Sequence, residues 1–303
     1  MTAEAAAHAE VETTRERFSA AWLAGRIQGV GLHIAVIGLT VAWMVPAVGL
    51  LISSFRPFKD YSTGWWTALS PPFDFTLDNY SQVLQSGNLV HSLFNSFMIS
   101  IPATVIPVTI AAFAAYAFSW MKFPGRDWLF LSLVGLLAVP LQLSFVPVLS
   151  EYVRIGLTPS NWGFVGVWLA HTGYGLPFSI YLLANFFRAL PSDLFESAEI
   201  DGAGTLTVFF RIVLPLSVPA IASLVIFQFL WIWNDLLVAL IYVGGSANVA
   251  PVTVTLANLT NSLGQGYNLL TAAAFLSLII PLVVFLALQR YFVRGILAGS
   301  VKG

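Results

Sequence analysis

The sequence has no cysteine and only three lysines, Lys59, Lys122 and Lys302. The first absence excludes disulfides, thiolate nucleophiles and cysteine-ligated metals, though it leaves the compartment open. The second, with no GxxxxGK[ST] run anywhere, excludes the phosphate cradle and lysine of a P-loop ATPase. Charge is scarce as well, at 9% of residues where a soluble domain carries roughly a quarter. So little charge cannot cover a water-facing surface. The net charge of -1 leaves no basic face for phosphates, so no nucleic-acid partner is expected. The histidines, His8, His33, His91 and His171, are scattered, without HExxH or a local carboxylate pair. Neither a catalytic site nor a metal site is expected from them. His33 and His171 fall inside or at the edge of apolar runs and read as satisfied packing or interfacial histidines.

What is present is apolar: 58% of residues are hydrophobic and the mean hydropathy is +0.83. The expected solvent is a bilayer. Six stretches reach the roughly 20 residues a spanning helix needs. They run Val30–Ser53, Leu93–Phe118, Trp128–Leu149, Trp162–Asn185, Ser217–Val243 and Leu269–Tyr291. The expected fold is an all-α membrane protein with six transmembrane helices, without internal repeat or low-complexity segment. Met1–Gln28 is rich in Ala, Glu and Arg and does not read as a secretory n-region. No small-x-small cleavage signal follows the first run, which is expected to stay as an anchor.

Lysine and arginine set the orientation. With the N-terminus inside, Arg15, Arg17, Arg26, Lys122, Arg126, Arg188, Arg211, Arg290, Arg294 and Lys302 are cytoplasmic. Only Arg56, Lys59 and Arg154 are then outside. This bias predicts cytoplasmic N- and C-termini. The chain divides into an N-terminal tail (1–29), a six-span domain (30–292) with a cytoplasmic loop at 186–215, and a C-terminal tail (293–303). In the outer "GWWTALSPPFDF", Gly64–Phe75, Trp65 and Trp66 read as headgroup anchors or as a docking surface for an external protein. The outer segment Gly244–Asn268 carries no formal charge.

Against that background "FESAEIDGAGTLTVFFRIVLP", Phe195–Pro215, is unusual, with Glu196, Glu199 and Asp201 in its first seven positions. Pro191 discourages continuing the preceding helix, and Asp193 with Glu196 forms a D-x-x-E capping pattern. A short helix is predicted to about Asp201, with Gly202 as a left-handed C-cap. Thr205 is predicted to cap a second helix leading to Leu214, and Pro215 marks entry into the fifth span. Pro215 and Pro219 allow a kink there. The apolar face Leu194, Phe195 and Ala198 needs a partner surface or headgroups. An ordinary amphipathic interfacial connection fits these residues as well as a docking element does.

The spacing Glu196-Ser197-Ala198, three residues, Gly202, nine residues, Ile212-x-Leu214-Pro215 resembles the "EAA" signature of ABC importer membrane subunits. Ser197 stands where alanine is common. The resemblance continues in order through "SSFRP" (Ser53–Pro57), "NSF" (Asn95–Phe97), "AAYAFSWMKFPGR" (Ala114–Arg126), "NFFRALPSDLFESAEIDGA" (Asn185–Ala203), "WND" (Trp233–Asp235) and "QRYFVRGILAGSVKG" (Gln289–Gly303). Together these are similar to the six-span partner subunit of carbohydrate importer permeases of the maltose-transporter type. The resemblance implies a type I ABC importer permease architecture in a bacterial or archaeal cytoplasmic membrane. It also implies heterodimerisation with a second, homologous permease, two ATP-binding subunits below and an extracytoplasmic sugar-binding protein above. ATP and Mg2+ would sit on the ATPases, and this chain would bind no cofactor. Glu196, Ser197, Ala198, Asp201, Gly202, Ala203, Ile212, Leu214 and Pro215 would form the ATPase-docking loop. In that family the C-terminal tail also reaches the ATPases, which points to Arg294, Gly295 and Lys302; the basic Arg294 and Lys302 equally fit topology anchors.

"QFLWIWNDLLVAL", Gln228–Leu240, holds Asp235, the only acid well inside a predicted span. A carboxylate at the bilayer centre costs about 2.5–3.5 kcal/mol on insertion scales, so it should face the bundle interior or a wet cavity. Asp235 with Asn234, Trp231 and Trp233 fits a polar wall of a sugar pathway or a structural contact between spans. Asn95 and Gln142 have the same two readings. The expected substrate is an oligosaccharide or glycoside. A glycerol-phosphate-type substrate is the alternative, which the lack of Lys or Arg inside the spans disfavours. A proton-coupled secondary transporter using Asp235 is the rival class, against which stands the absence of inverted repeats.

Overall fold

The computed structural model describes residues 30–60, 63–85, 88–259 and 266–300. The described residues contain helices and turns and no strand. They fall into two compact units divided between Phe75 and Thr76. In the first, α1 (Val30–Ser54) is one apolar helix with nearly every side chain exposed. Arg56 closes it. Its buried guanidinium donates to the Thr63 carbonyl (2.8 Å) and the Thr67 hydroxyl (3.0 Å). Trp65 lies against Gly49, where a Cβ would meet the indole at 2.6 Å. Trp66 is 63% exposed.

The second unit begins with α2 (Asp78–Gln85) and the long α3 (Asn88–Trp120). Next come α4 (Arg126–Leu136), a turn at Leu141–Ser144, and α5 (Phe145–Arg154). Then α6 (Val165–Arg188), α7 (Ser192–Ile200) and α8 (Thr205–Leu216) follow. The chain continues through α9 (Val218–Trp233), α10 (Leu237–Tyr242), α11 (Val252–Asn258) and α12 (Tyr267–Ser300). Parallel α3 and α6 form the axis. They are tied at one end by Trp168 Nε1 donating to Met98 O (2.8 Å) and at the other by Trp120 Nε1 donating to Phe187 O (3.0 Å). Between those ties, buried Ala103, Ala111 and Ala115 meet Ala170 and Ala184, small residues that let two backbones approach.

Two predicted spans are not continuous. Leu136 and Leu141 flank a break at which the flanking helical segments turn by 94°, and Pro140, lacking an N–H, sits in it. In place of the predicted Ser217–Val243, α8 meets α9 at 74° around Ser217, between Pro215 and Pro219. Then α9 ends at Trp233, and Asn234–Leu236 separates it from α10. Among the described residues, three helices are long and apolar enough to cross a membrane, α1, α3 and α12, or five crossings if each bent pair is one span. The fourth predicted span folds as α6, 24 residues long. It buries the polar side chains of His171, Thr172 and Ser179.

Close approach of α6 and α9 depends on Gly175. A Cβ there would stand 2.2 Å from Gln228 Nε2 and 3.0 Å from its Cδ, and Gln228 is itself buried. Gly175→Ala is expected to destabilise the protein by about 1–3 kcal/mol, the usual overpacking cost. Adding Gln228→Ala should recover most of that loss. Thermal unfolding of the single and double variants in detergent checks it; equal losses in both would break the link between the two residues.

Candidate functional site

Pro191 precedes α7 in an extended conformation, and no side chain caps the helix. Asp193 lies inside the first turn, so the D-x-x-E cap expected from sequence is not formed; its charge instead complements the helix dipole. The far end follows the expected pattern. Gly202 has φ +69°, its N–H donates to Glu199 O (3.0 Å), and Ala203 N–H donates to Ala198 O (2.9 Å). This is a Schellman turn. The helix start of α8 differs from expectation: Gly204 is the N-cap and Thr205 is already helical.

The α7–α8 segment is fixed to the ends of α3 and α6. Phe195 stacks on Trp120 with ring centroids 3.5 Å apart, and Phe209 stacks on Phe113 at 4.7 Å. Tyr116 donates to Thr205 O (3.3 Å). Ala198, Val208, Phe209 and Val213 are buried in one apolar cluster, with Ala203, Ile212 and Leu214 packed against it. Glu196, Ser197, Glu199, Asp201, Gly202 and Pro215 remain exposed. So do Ile200 (87%) and Leu206 (64%), large apolar side chains flanking the turn. Sequence reasoning passed over both, although their position beside the glycine was the available signal. Ala198 belongs to the inward face, while Glu196, Ser197, Asp201 and Gly202 form the outward one.

The structure brings some of the proposed pathway residues together and separates others. Asp235 Oδ2 accepts the Ala239 N–H (3.0 Å), and Asp235 O accepts the Thr253 hydroxyl (2.7 Å), so the acid organises the start of α10. The Asp235 side chain is 13% exposed. His171, fully buried on α6, places Nε2 3.9 Å from Asp235 Oδ2, beyond hydrogen-bond distance. Half-buried Trp231 meets the His171 ring edge to face at 5.4 Å. Neither ring nitrogen of His171 has a protein hydrogen-bond partner, which overturns its reading as a satisfied histidine. Trp233 is buried between Phe97 and Phe229 and offers no face to a ligand. Asn234 is exposed and donates to Leu230 O (2.7 Å).

Asn95 and Gln142 lie apart from that cluster. Asn95 is buried, and its amide donates to Asn248 O (3.2 Å) and Ala250 O (3.1 Å), an arrangement that fits a structural contact and not a wall. Gln142 is exposed in the turn between α4 and α5. Gly295 falls within α12; the side chain of Arg294, and Lys302, lie outside the described residues, as does the tail 1–29.

Residues 19–298 match the family of the binding-protein-dependent transport system inner membrane component. The chain belongs to that family. This inner membrane component is 57% identical over 279 residues to the osmoprotective compounds uptake permease protein GgtD of Synechocystis sp., covering 91% of this chain and 93% of the relative. It is 52% identical over 241 residues to the alpha-glucoside transport system permease protein AglG of Rhizobium meliloti, covering 79% of this chain and 63% of AglG. Its fold matches a chain of a bacterial ABC transporter involved in alginate import with a TM-score of 0.73 and 20% identity. That match covers 88% of this chain and 97% of the other. An all-α permease fold and a membrane location follow for this transport component.

Proposed function

We propose that this chain is the permease subunit of an ATP-driven ABC importer that moves a sugar, an oligosaccharide or glycoside, into the cytoplasm by alternating access. The observation that carries this reading is the α7–α8 segment, which turns an acidic and apolar face outward while stacking its other face on α3. Glu196, Ser197, Asp201 and Gly202, with Ile200 and Leu206, face a cleft on a cytoplasmic ATPase. Ala198, Ala203, Ile212 and Leu214 hold the element to the bundle. Displacement of the docked α7 reaches α9 through the bend at Ser217, and α9 carries it to the break at Asn234–Leu236. The lysine and arginine bias supports cytoplasmic termini in a bacterial or archaeal cytoplasmic membrane.

In this reading the chain has no nucleotide site of its own. Two ATP-binding subunits hold ATP and Mg2+, a second homologous permease completes the pathway, and an extracytoplasmic binding protein delivers substrate. Asp235, Asn234 and Trp231 form one polar edge of the route, Trp233 supports it from behind, and Asn95 holds the segment 248–250 apart from it. A glycoside is favoured because a relative is named for alpha-glucosides. The deciding experiment is co-expression with the genomic neighbours, purification of the membrane complex, and ATPase assay with and without liganded binding protein. An ATPase should stay bound and accelerate with liganded protein; a chain that purifies alone from intact membranes would overturn the assignment.

A further inference from the structure

We propose that His171 is a positioning residue that sets where Asp235, and with it the α9–α10 break, rests against α6. The inference builds on the importer reading above. Helix α10 is held to α6 at its far end, where the Tyr242 and Tyr174 hydroxyls are 2.7 Å apart. Ser144, in the turn between α4 and α5, donates to Tyr174 at 2.9 Å. The same face of α6 carries His171 one turn before Tyr174, opposite the near end of α10. There the contact is open: His171 Nε2 stands 3.9 Å from Asp235 Oδ2. Asp235 is itself tied to α10 through Ala239 N–H and to α11 through the Thr253 hydroxyl, so its carboxylate moves with the break. Helix α10 is thus bonded at one end and unlatched at the other.

A shift of about 1 Å brings Nε2 and the carboxylate to hydrogen-bond distance. In the importer reading, displacement from α7–α8 reaches this break through α9. His171 gives both positions of the break a defined partner, Trp231 when open and Asp235 when closed. An element with two such arrangements is what coupling between distant sites requires.

The test uses the complete complex in liposomes, with substrate import and ATP hydrolysis measured together. Wild-type protein comes first, since failure of ATP-driven import there would sink the importer reading and not the role of His171. With an active wild type, His171→Leu is expected to lower substrate imported per ATP several-fold. His171→Gln, which keeps a side-chain N–H, should restore part of that ratio. A purely structural histidine would change the yield of complex and leave the ratio alone, and an unchanged ratio in His171→Leu overturns the proposal. If that variant does not assemble, a His171→Cys/Asp235→Cys pair decides, since the chain has no other cysteine. A short bifunctional thiol reagent should join the pair faster in one nucleotide state; equal rates in both states overturn the two-position latch.

Discussion

Replacing Gly202 with proline is expected to abolish substrate uptake while leaving the chain inserted in the membrane. Gly202 has φ +69°, and its N–H closes the Schellman turn on Glu199 O. Proline fixes φ near about −65° and has no N–H, so it can neither adopt the turn nor make the bond. The turn sets the angle between α7 and α8, and α8 leads through Ser217 into α9. Losing it uncouples α7 from α8 and leaves α7 held to the bundle by the Phe195–Trp120 stack and by buried Ala198. ATP hydrolysis would then proceed without import. Gly202→Ala separates conformation from crowding, because a Cβ at this position meets nothing within 4 Å. Its penalty is the left-handed backbone alone, about 1–2 kcal/mol, and uptake should fall only in part. Gly202→Asn should fall between glycine and alanine, since Asn tolerates that region. Measured uptake per ATP across the series therefore ought to follow left-handed propensity. Wild-type uptake by Gly202→Pro would remove the lever role from α7–α8.

Much of this was legible in the sequence because the signals are local. Scarce charge and long apolar runs specify a bilayer protein. Pro191 and Gly202 bracket α7 because each acts on its own backbone, proline by fixing φ and glycine by admitting the left-handed region. Caps were less legible: Asp193 and Thr205 carry the right side chains, yet the helices start one or two residues earlier, at Ser192 and after Gly204. The break after Trp233 was hidden. Asn234–Leu236 contains neither glycine nor proline, and part of what holds it open is the hydroxyl of Thr253, eighteen residues on. His171 was misread for the same reason, since its surroundings come from α9 and the break, distant in sequence. Among the polar residues proposed for a pathway, periodicity could not separate Asp235, at the edge of exposure, from Asn95, which is buried.

Asn95→Leu provides the other large expected effect, a loss of about 2 kcal/mol or more in stability. The first turns of α3 grip the segment 248–255 with a row of polar side chains. Ser96 Oγ accepts the Val252 N–H (2.8 Å), the Ser92 and Thr255 hydroxyls lie 2.6 Å apart, and His91 Nε2 lies 2.8 Å from Asn248 O. Asn95 binds the carbonyls of Asn248 and Ala250 from the middle of that row. Leucine has similar volume but leaves the carbonyl of buried Ala250 without its side-chain donor, and an unsatisfied buried polar group costs about 1–3 kcal/mol. Asn95→Asp is the sharper variant: nearly isosteric, it turns a donor into an acceptor-only group when ionised and sets it against two carbonyls. It should be at least as destabilising as leucine. If Asn95 instead lines the substrate route, both variants would unfold like wild type and change which sugars are imported. Thermal unfolding of the purified complex, set beside the substrate profile, separates the two. Since both amide contacts are made within the chain, the expected change is in the melting curve, with the order of preference among sugars kept.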